Sequence, residues 1–147
     1  MNNTFYIYNN EALIIFTIHK ILSRVKKIDI SRLFLLISFL LVDEFTSYLL
    51  RVKPDNYKAF LSVNAKKIAQ FSNIYYDLLP VILNALSLMA ESETIKIIDC
   101  DIILYSEMQD NCDSIRLEKI GNTIPTLLQL TAQYTDRQLY DSLNIQL

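Results

Sequence analysis

Glycine is nearly absent from this chain of 147 residues: the only one is Gly121, and there are three prolines. β-Sandwiches and barrels need many tight turns, which are built largely from glycine and proline. The composition therefore argues against both architectures. A single glycine also excludes a glycine-rich phosphate loop, and with it ATP binding of the P-loop kind.

Residue types that bind metals or catalyse reactions are equally scarce. The chain has one histidine, His19, and two cysteines, Cys100 and Cys112, which show no zinc-ligand spacing. We expect reduced thiols, and the alternative is a disulfide between the two that bridges the hairpin. His19 has no carboxylate partner at helical spacing, so we interpret it as structural. Asp99 and Asp101 leave two interpretations open, a solvated hairpin turn or ligands of a divalent ion. We expect no cofactor, no catalytic residue and no enzymatic activity.

Long hydrophobic runs and a strong charge of either sign are missing too. The most apolar run covers residues 33–42, which is half of the roughly 20 residues that a membrane span needs. The first residues show no secretory signal pattern. We therefore expect a cytoplasmic protein without a membrane partner. The formal net charge of −2 gives no overall attraction to nucleic acid.

Apolar residues, in contrast, are abundant. They make up 52% of the chain, and charged residues make up only 20%. Two explanations are open: a helix-rich core, or additional apolar surface that a partner protein covers.

The hydrophobic periodicity predicts a mainly α protein, a compact multi-helix domain with one short β-hairpin in a winged-helix-like order. We expect one domain, 1–147. The predicted elements are a strand-like piece in 1–10, helices in 11–27, 29–42, 45–52, 54–70 and 71–93, strands in 94–98 and 101–106, and helices in 114–122, 125–134 and 137–144.

The helix predicted at 71–93 is the organising element of the chain. Its apolar residues recur at three- and four-residue steps in a stripe so wide that we expect it to be covered on most sides. Ser72 or Asn73 is its predicted N-cap. N-caps are also predicted for three other helices: Asn9 or Asn10 for 11–27, Asp29 or Ser31 for 29–42, and Thr135 with Asp136 for 137–144. Pro80 is expected to begin the tighter part of the helix or to kink it.

Basic residues fall in two groups. The ordinary interpretation is that they form solvated helix faces, and the alternative is a shared patch that contacts DNA phosphates. The residues are Lys20, Arg24, Lys26, Lys27, Lys66 and Lys67.

Several segments together resemble the middle components of bacterial three-component ABC systems, including the Lamassu-type anti-phage defence operons. The segments are YNNEAL before a helix, LFLLISFLLV, FSNIYYDLLPVILNALSLM followed at once by a hairpin, and the closing RLEKIGNTIPTLLQLTAQYTDRQLYDSLNIQL. The family often has small residues or glycine where the long helix meets the hairpin, whereas this chain has Glu91-Ser92-Glu93-Thr94.

The resemblance implies a non-enzymatic adaptor that joins an ATPase related to the SMC and Rad50 group to an effector, commonly a nuclease. DNA contact through the complex is then also expected. Aromatic and aliphatic side chains are the usual anchors of protein interfaces, and each candidate can equally be a core residue. The candidates are Tyr6, Tyr8, Phe45, Tyr48, Tyr134, Tyr140 and Leu147. The alternative function is a winged-helix-like DNA-binding regulator.

Overall fold

The computed structural model describes residues 3–108 and 114–146, with the backbone alone for residues 3–10. The mainly α fold predicted from the sequence is confirmed. In chain order, the described elements are α1 (Asn3–Val25), β1 (Lys27–Asp29), α2 (Ile30–Leu40), α3 (Asp43–Val52), α4 (Tyr57–Val63), α5 (Ala65–Ile68), α6 (Phe71–Glu91), β2 (Ile95–Ile98), β3 (Asp101–Leu104), α7 (Ile115–Thr131) and α8 (Asp136–Ser142).

The predicted hairpin forms, and a third strand joins it. The described sheet has the order β1-β3-β2 and both pairs are antiparallel, so that Ile102 lies opposite Ile28 on one side and Ile97 on the other. Strand β1 lies between the first two helices, and the hairpin follows the helix that ends at Glu91. A strand after the first helix that pairs with the second hairpin strand is the connection order of winged-helix domains.

The first helix begins earlier than predicted. It starts at Asn3, so the strand-like interpretation is wrong for residues 3–10, and Asn9 and Asn10 lie inside the helix instead of capping it. No proline or glycine occurs between Asn3 and Val25, and nothing in this stretch therefore ends a helix once it has formed. The chain leaves α1 through Lys26, whose φ is 67°.

Two predicted helix boundaries in the later part of the chain are also wrong. The helix predicted at 54–70 is divided at Asn64 into α4 and α5. The reverse holds for α7, which runs without a break through Gly121 and Pro125 although a break was predicted at 121–123. Buried side chains along α7, such as Ile120 and Leu127, stabilise it by more than the roughly 1 kcal/mol that an internal glycine costs.

Local capping signals are more reliable. Asp29 caps α2 as predicted, because its side chain accepts a hydrogen bond from the Ser31 amide at 2.8 Å. Thr135 caps α8, also as predicted, and Gln138 completes a capping box. The predicted caps of α6 are wrong: the residue before this helix is Gln70, which makes no side-chain cap bond.

An aromatic cluster forms the centre of the core. Phe39 at the end of α2 lies 5.4 Å from Phe45, 5.7 Å from Phe60 and 4.5 Å from Phe71 between ring centroids. All four rings are buried. The cluster joins α2, α3, α4 and the beginning of α6, while the other end of α6 leads directly into the hairpin.

Residues other than glycine occupy the left-handed backbone conformations at which the described chain turns. Positive φ angles occur at Lys26, Lys53, Glu93, Asp99 and Asn144. Four of these follow the ends of helices, and Asp99 lies in the hairpin turn. An L-residue in this conformation costs roughly 1–2 kcal/mol, so the turns are positions at which the sequence is not optimal for stability.

Candidate protein-binding surface

Helix α6 is only partly covered, which corrects the expectation that it is enclosed on most sides. The side chains of Tyr76, Leu83 and Leu88 are 49%, 46% and 47% exposed. Leu79 and Val81 lie between them and are half-buried. We call Tyr76, Leu79 and Leu83, which share one side of the helix, the α6 surface. Isolated exposed apolar residues are normal, but a connected group on one helix is a feature of interaction sites.

The helical period explains the arrangement of the α6 surface. Tyr76, Leu79 and Leu83 follow one another at steps of three and four, and therefore lie along one side of the helix. Val81 and Leu88 are seven residues apart and lie along the other side. The buried face, which includes Ile82 and Met89, lies between these two apolar sides.

The charges of α6 favour a protein partner over a nucleic acid. The helix contains no lysine or arginine, and its two acidic residues, Asp77 and Glu91, are both exposed. Phosphate groups would be repelled there. Helices that lie on membrane surfaces are also rich in lysine and arginine on their polar face, and α6 lacks this feature.

The hairpin extends the exposed apolar area beyond α6. Ile97 and Ile98 of β2 are exposed, and so is Tyr105 directly after β3. The ammonium of Lys96 lies 4.1 Å from the centroid of the Tyr105 ring. Strand β2 is at an edge of the described sheet. Along its outer side, the backbone hydrogen-bonding groups are paired with no other described strand.

Two of the predicted contact residues are core residues instead. Phe45 is fully buried in the aromatic cluster, and Tyr140 is buried as well. The Tyr140 hydroxyl donates a hydrogen bond to the Ser31 carbonyl at 2.6 Å and lies 3.0 Å from the Tyr75 hydroxyl. Burial raises the pKa of Tyr140 above its ordinary range. Neither side chain can contact a partner while the fold is intact, which corrects their assignment.

Tyr48 and Tyr134 are half-buried at the margin of the core. Tyr48 packs against Phe60 at 5.8 Å, and Tyr134 packs against Tyr57 at 5.0 Å between ring centroids. Each leaves part of its ring accessible. Burial also raises the pKa of Tyr57, to about 12.

The remaining candidates cannot be assigned to a surface. Tyr6 and Tyr8 belong to α1, but their side chains lie outside the described part of the structure. Leu147 lies outside the described residues, as does Cys112.

Four of the six predicted basic residues line two separate grooves, and Lys26 and Lys27 line neither. Lys20 and Arg24 belong to a groove of about 400 Å³ between α1 and α7. Lys66 and Lys67 belong to a groove of about 390 Å³ beside α5. The predicted shared patch is thus divided into two sites.

Several of these cations lie beside carboxylates of the same chain. Lys26 lies 3.6 Å from Glu107, and Lys27 lies 3.8 Å from Asp101. Lys67 is 3.6 Å from a carboxylate oxygen of Glu44. The positive charge available to an external phosphate is reduced accordingly.

A site that sequence reasoning missed surrounds His19. The imidazole is buried, and its Nε2 lies 3.1 Å from an Oε2 of Glu107 and 3.1 Å from the Met108 amide nitrogen. No helical spacing could indicate this contact, since Glu107 is 88 residues away in the sequence.

No group of three or more His, Cys, Asp or Glu residues in 3–108 and 114–146 is arranged to hold a metal ion. Asp99 lies in the hairpin turn, whereas Asp101 begins β3 and faces Lys27.

By length and composition, α6 is the one helix among the described residues that could cross a membrane, with a mean hydropathy of 1.2. In the structure, 28% of that segment is buried. Core helices of other proteins meet the same criterion.

Comparisons with protein-family models, with curated proteins and with solved structures found no match.

Proposed function

We propose that this protein is a non-enzymatic adaptor subunit of a bacterial anti-phage defence complex, in which it joins an SMC/Rad50-like ABC ATPase to an effector, commonly a nuclease in such systems. The observation that carries the proposal is the α6 surface. It offers exposed apolar side chains on a helix without a single basic residue.

The position of α6 gives this observation its weight. In helix-turn-helix and related DNA-binding domains, the helix that enters the major groove carries basic and polar side chains for phosphates and base edges. Here the helix before the hairpin has Tyr76 and Leu83 exposed, and its charged residues are acidic. This surface suits protein binding better than DNA binding, although the elements follow a winged-helix-like order.

The identity of the partners comes from the sequence. The resemblance of residues 71–89 and of the segment from 116 to the C-terminus to the middle components of three-component ABC systems supports the ATPase and the effector as partners. The proposed location is the cytoplasm, where such complexes act.

The experiment is co-purification with the neighbouring gene products. We expect a P-loop ATPase encoded beside this gene to co-purify with the wild-type protein. Leu83→Glu places a charge within the α6 surface and should weaken binding at least thirtyfold, the loss of about 2 kcal/mol that defines an interface hot spot.

The matched control is Asn84→Glu, which adds the same charge on the adjacent, exposed position of the same helix. It should bind like the wild type, and both variants should have unchanged circular dichroism. Equal binding by Leu83→Glu and the wild type would refute the role of α6. Absence of any ATPase partner would refute the adaptor.

The strand order and the groove with Lys20 and Arg24 favour a second candidate, the winged-helix-like DNA-binding regulator. A gel shift at low salt distinguishes it, because phosphate contacts are strongest there. No shift in 50 mM salt or less would reject DNA binding by the isolated chain.

A further inference from the structure

His19 Nε2 has two neighbours that no single protonation state can satisfy. The Met108 amide carries a hydrogen and can donate only to an unprotonated Nε2, from 3.1 Å. The Glu107 carboxylate can only accept, and it therefore bonds only to a protonated Nε2, also at 3.1 Å. The two bonds exclude each other at one atom.

The imidazole has little contact with water. His19 is 6% exposed and is fixed on α1. Of its two neighbours, the Met108 amide belongs to the backbone, whereas Glu107 is an exposed side chain. The second carboxylate oxygen of Glu107 lies 3.6 Å from the Lys26 ammonium. Either neighbour can take Nε2 without a change in the helix.

We propose that His19 is a protonation-controlled latch on the segment 105–108, which leaves the hairpin. With neutral imidazole, the proton is on Nδ1 and Nε2 accepts from the Met108 amide. When a proton from solvent binds Nε2, the Nε2–H donates to Glu107 and the Met108 amide loses its acceptor. Acidification therefore exchanges one arrangement for the other.

Other charged groups face the same site from each packed element. Among the described residues, Glu118 of α7 is the acidic residue that lines the adjoining groove, and the positive charges there come from α1. The charged residues that line this groove are Lys20, Arg24 and Glu118. Glu118 makes no described contact with His19, which makes it a matched control for Glu107.

The latch predicts a specific tautomer and a coupled titration in the full chain. Because this is the only histidine, its imidazole nitrogen signals in a nitrogen-15 spectrum are unambiguous. We expect the proton of the neutral ring on Nδ1. Between pH 8 and pH 5, the Met108 amide resonance should move with the same midpoint as the ring. Its hydrogen exchange, corrected for the intrinsic effect of pH, should rise about fivefold, as expected for one lost hydrogen bond.

Two neutral substitutions test the role of the carboxylate. Glu107→Gln should lower the midpoint, since protonated His19 loses its ion partner. Glu118→Gln should leave it unchanged. Glu107 is exposed, so its substitution does not endanger folding.

Three results would each overturn the proposal: a neutral ring protonated on Nε2, a Met108 amide that does not follow the ring, or equal midpoints in the two variants. The latch is independent of the proposed adaptor function and is tested without any partner.

Discussion

Arg32 of α2 connects the C-terminal helices to the rest of the core, and we expect its removal to be costly. The guanidinium donates to the Thr131 carbonyl at 2.9 Å, to the Tyr134 carbonyl at 2.5 Å and to the Asp136 carboxylate at 2.5 Å. These acceptors belong to the end of α7, the connection and the first turn of α8. One side chain thus holds together the end of α7, the connection and the start of α8, and it is a second donor to the Thr131 carbonyl, which also accepts from the Tyr134 amide at 3.2 Å.

The magnitude follows from burial. Side chains of Arg32 and Asp136 are 19% and 27% exposed, so water can replace the lost donors only in part. Hydrogen bonds to charged groups contribute about 1.5–3 kcal/mol each before this replacement. We expect Arg32→Met to lower the free energy of unfolding by about 3 kcal/mol, and Arg32→Lys by about 2 kcal/mol, because lysine lacks the planar fork.

Urea denaturation and thermal melting measure the effect. For a chain of this length, about 3 kcal/mol corresponds to a fall in Tm of roughly 6–12 °C. The control is Arg116→Met, which removes one hydrogen bond from an exposed arginine to the Leu41 carbonyl and should cost no more than about 0.5 kcal/mol. If Arg32→Met and Arg116→Met differ by less than about 1 kcal/mol, our reasoning about this contact is wrong.

Two further predictions concern backbone conformation and alkaline pH. Lys53→Gly should raise the free energy of unfolding by about 1 kcal/mol, because φ is 50° at this position. Arg51→Gly, inside the helix that Lys53 follows, should lower the free energy of unfolding by about 1 kcal/mol. Equal effects in urea denaturation would contradict the assignment of strain to Lys53. The folded pKa of Tyr57 is raised from 10.0 to about 12, so its contribution is complete below pH 10 and should be lost as the pH rises to 12, by about 3 kcal/mol. Tyr57→Phe should weaken stability by about 1 kcal/mol at neutral pH through the lost bond to Ser142, but should decline less between pH 10 and 12; an unchanged decline would show that other groups cause it.

Features encoded within a few residues could be predicted from the sequence. The Asp29 cap, the Thr135 cap and the β2–β3 hairpin all depend on neighbours in the chain, and the structure has each of them. The mainly α fold follows from the same local periodicity.

Features that depend on distant segments could not be predicted in this way. Strand β1 has three residues, and only its pairing with β3 makes it a strand. Glu107 follows β3 and contacts His19 of α1 from 88 residues away in the sequence. Hydrophobic spacing alone cannot indicate such a contact. The same limit applies to α6. The sequence shows its apolar period, but the fraction of the helix that is buried depends on helices elsewhere in the chain.

The pairing of Lys27 with Ile103 also determines which parts of the fold can form first during synthesis. Seventy-six residues separate the two positions, which a ribosome adds in about 4 to 15 s. Throughout that interval β1 has emerged without its partner strand, whereas the helices before the hairpin can already associate. We therefore expect the nascent chain to acquire a helical intermediate first and to close its sheet last, with a folding rate limited by this long-range step.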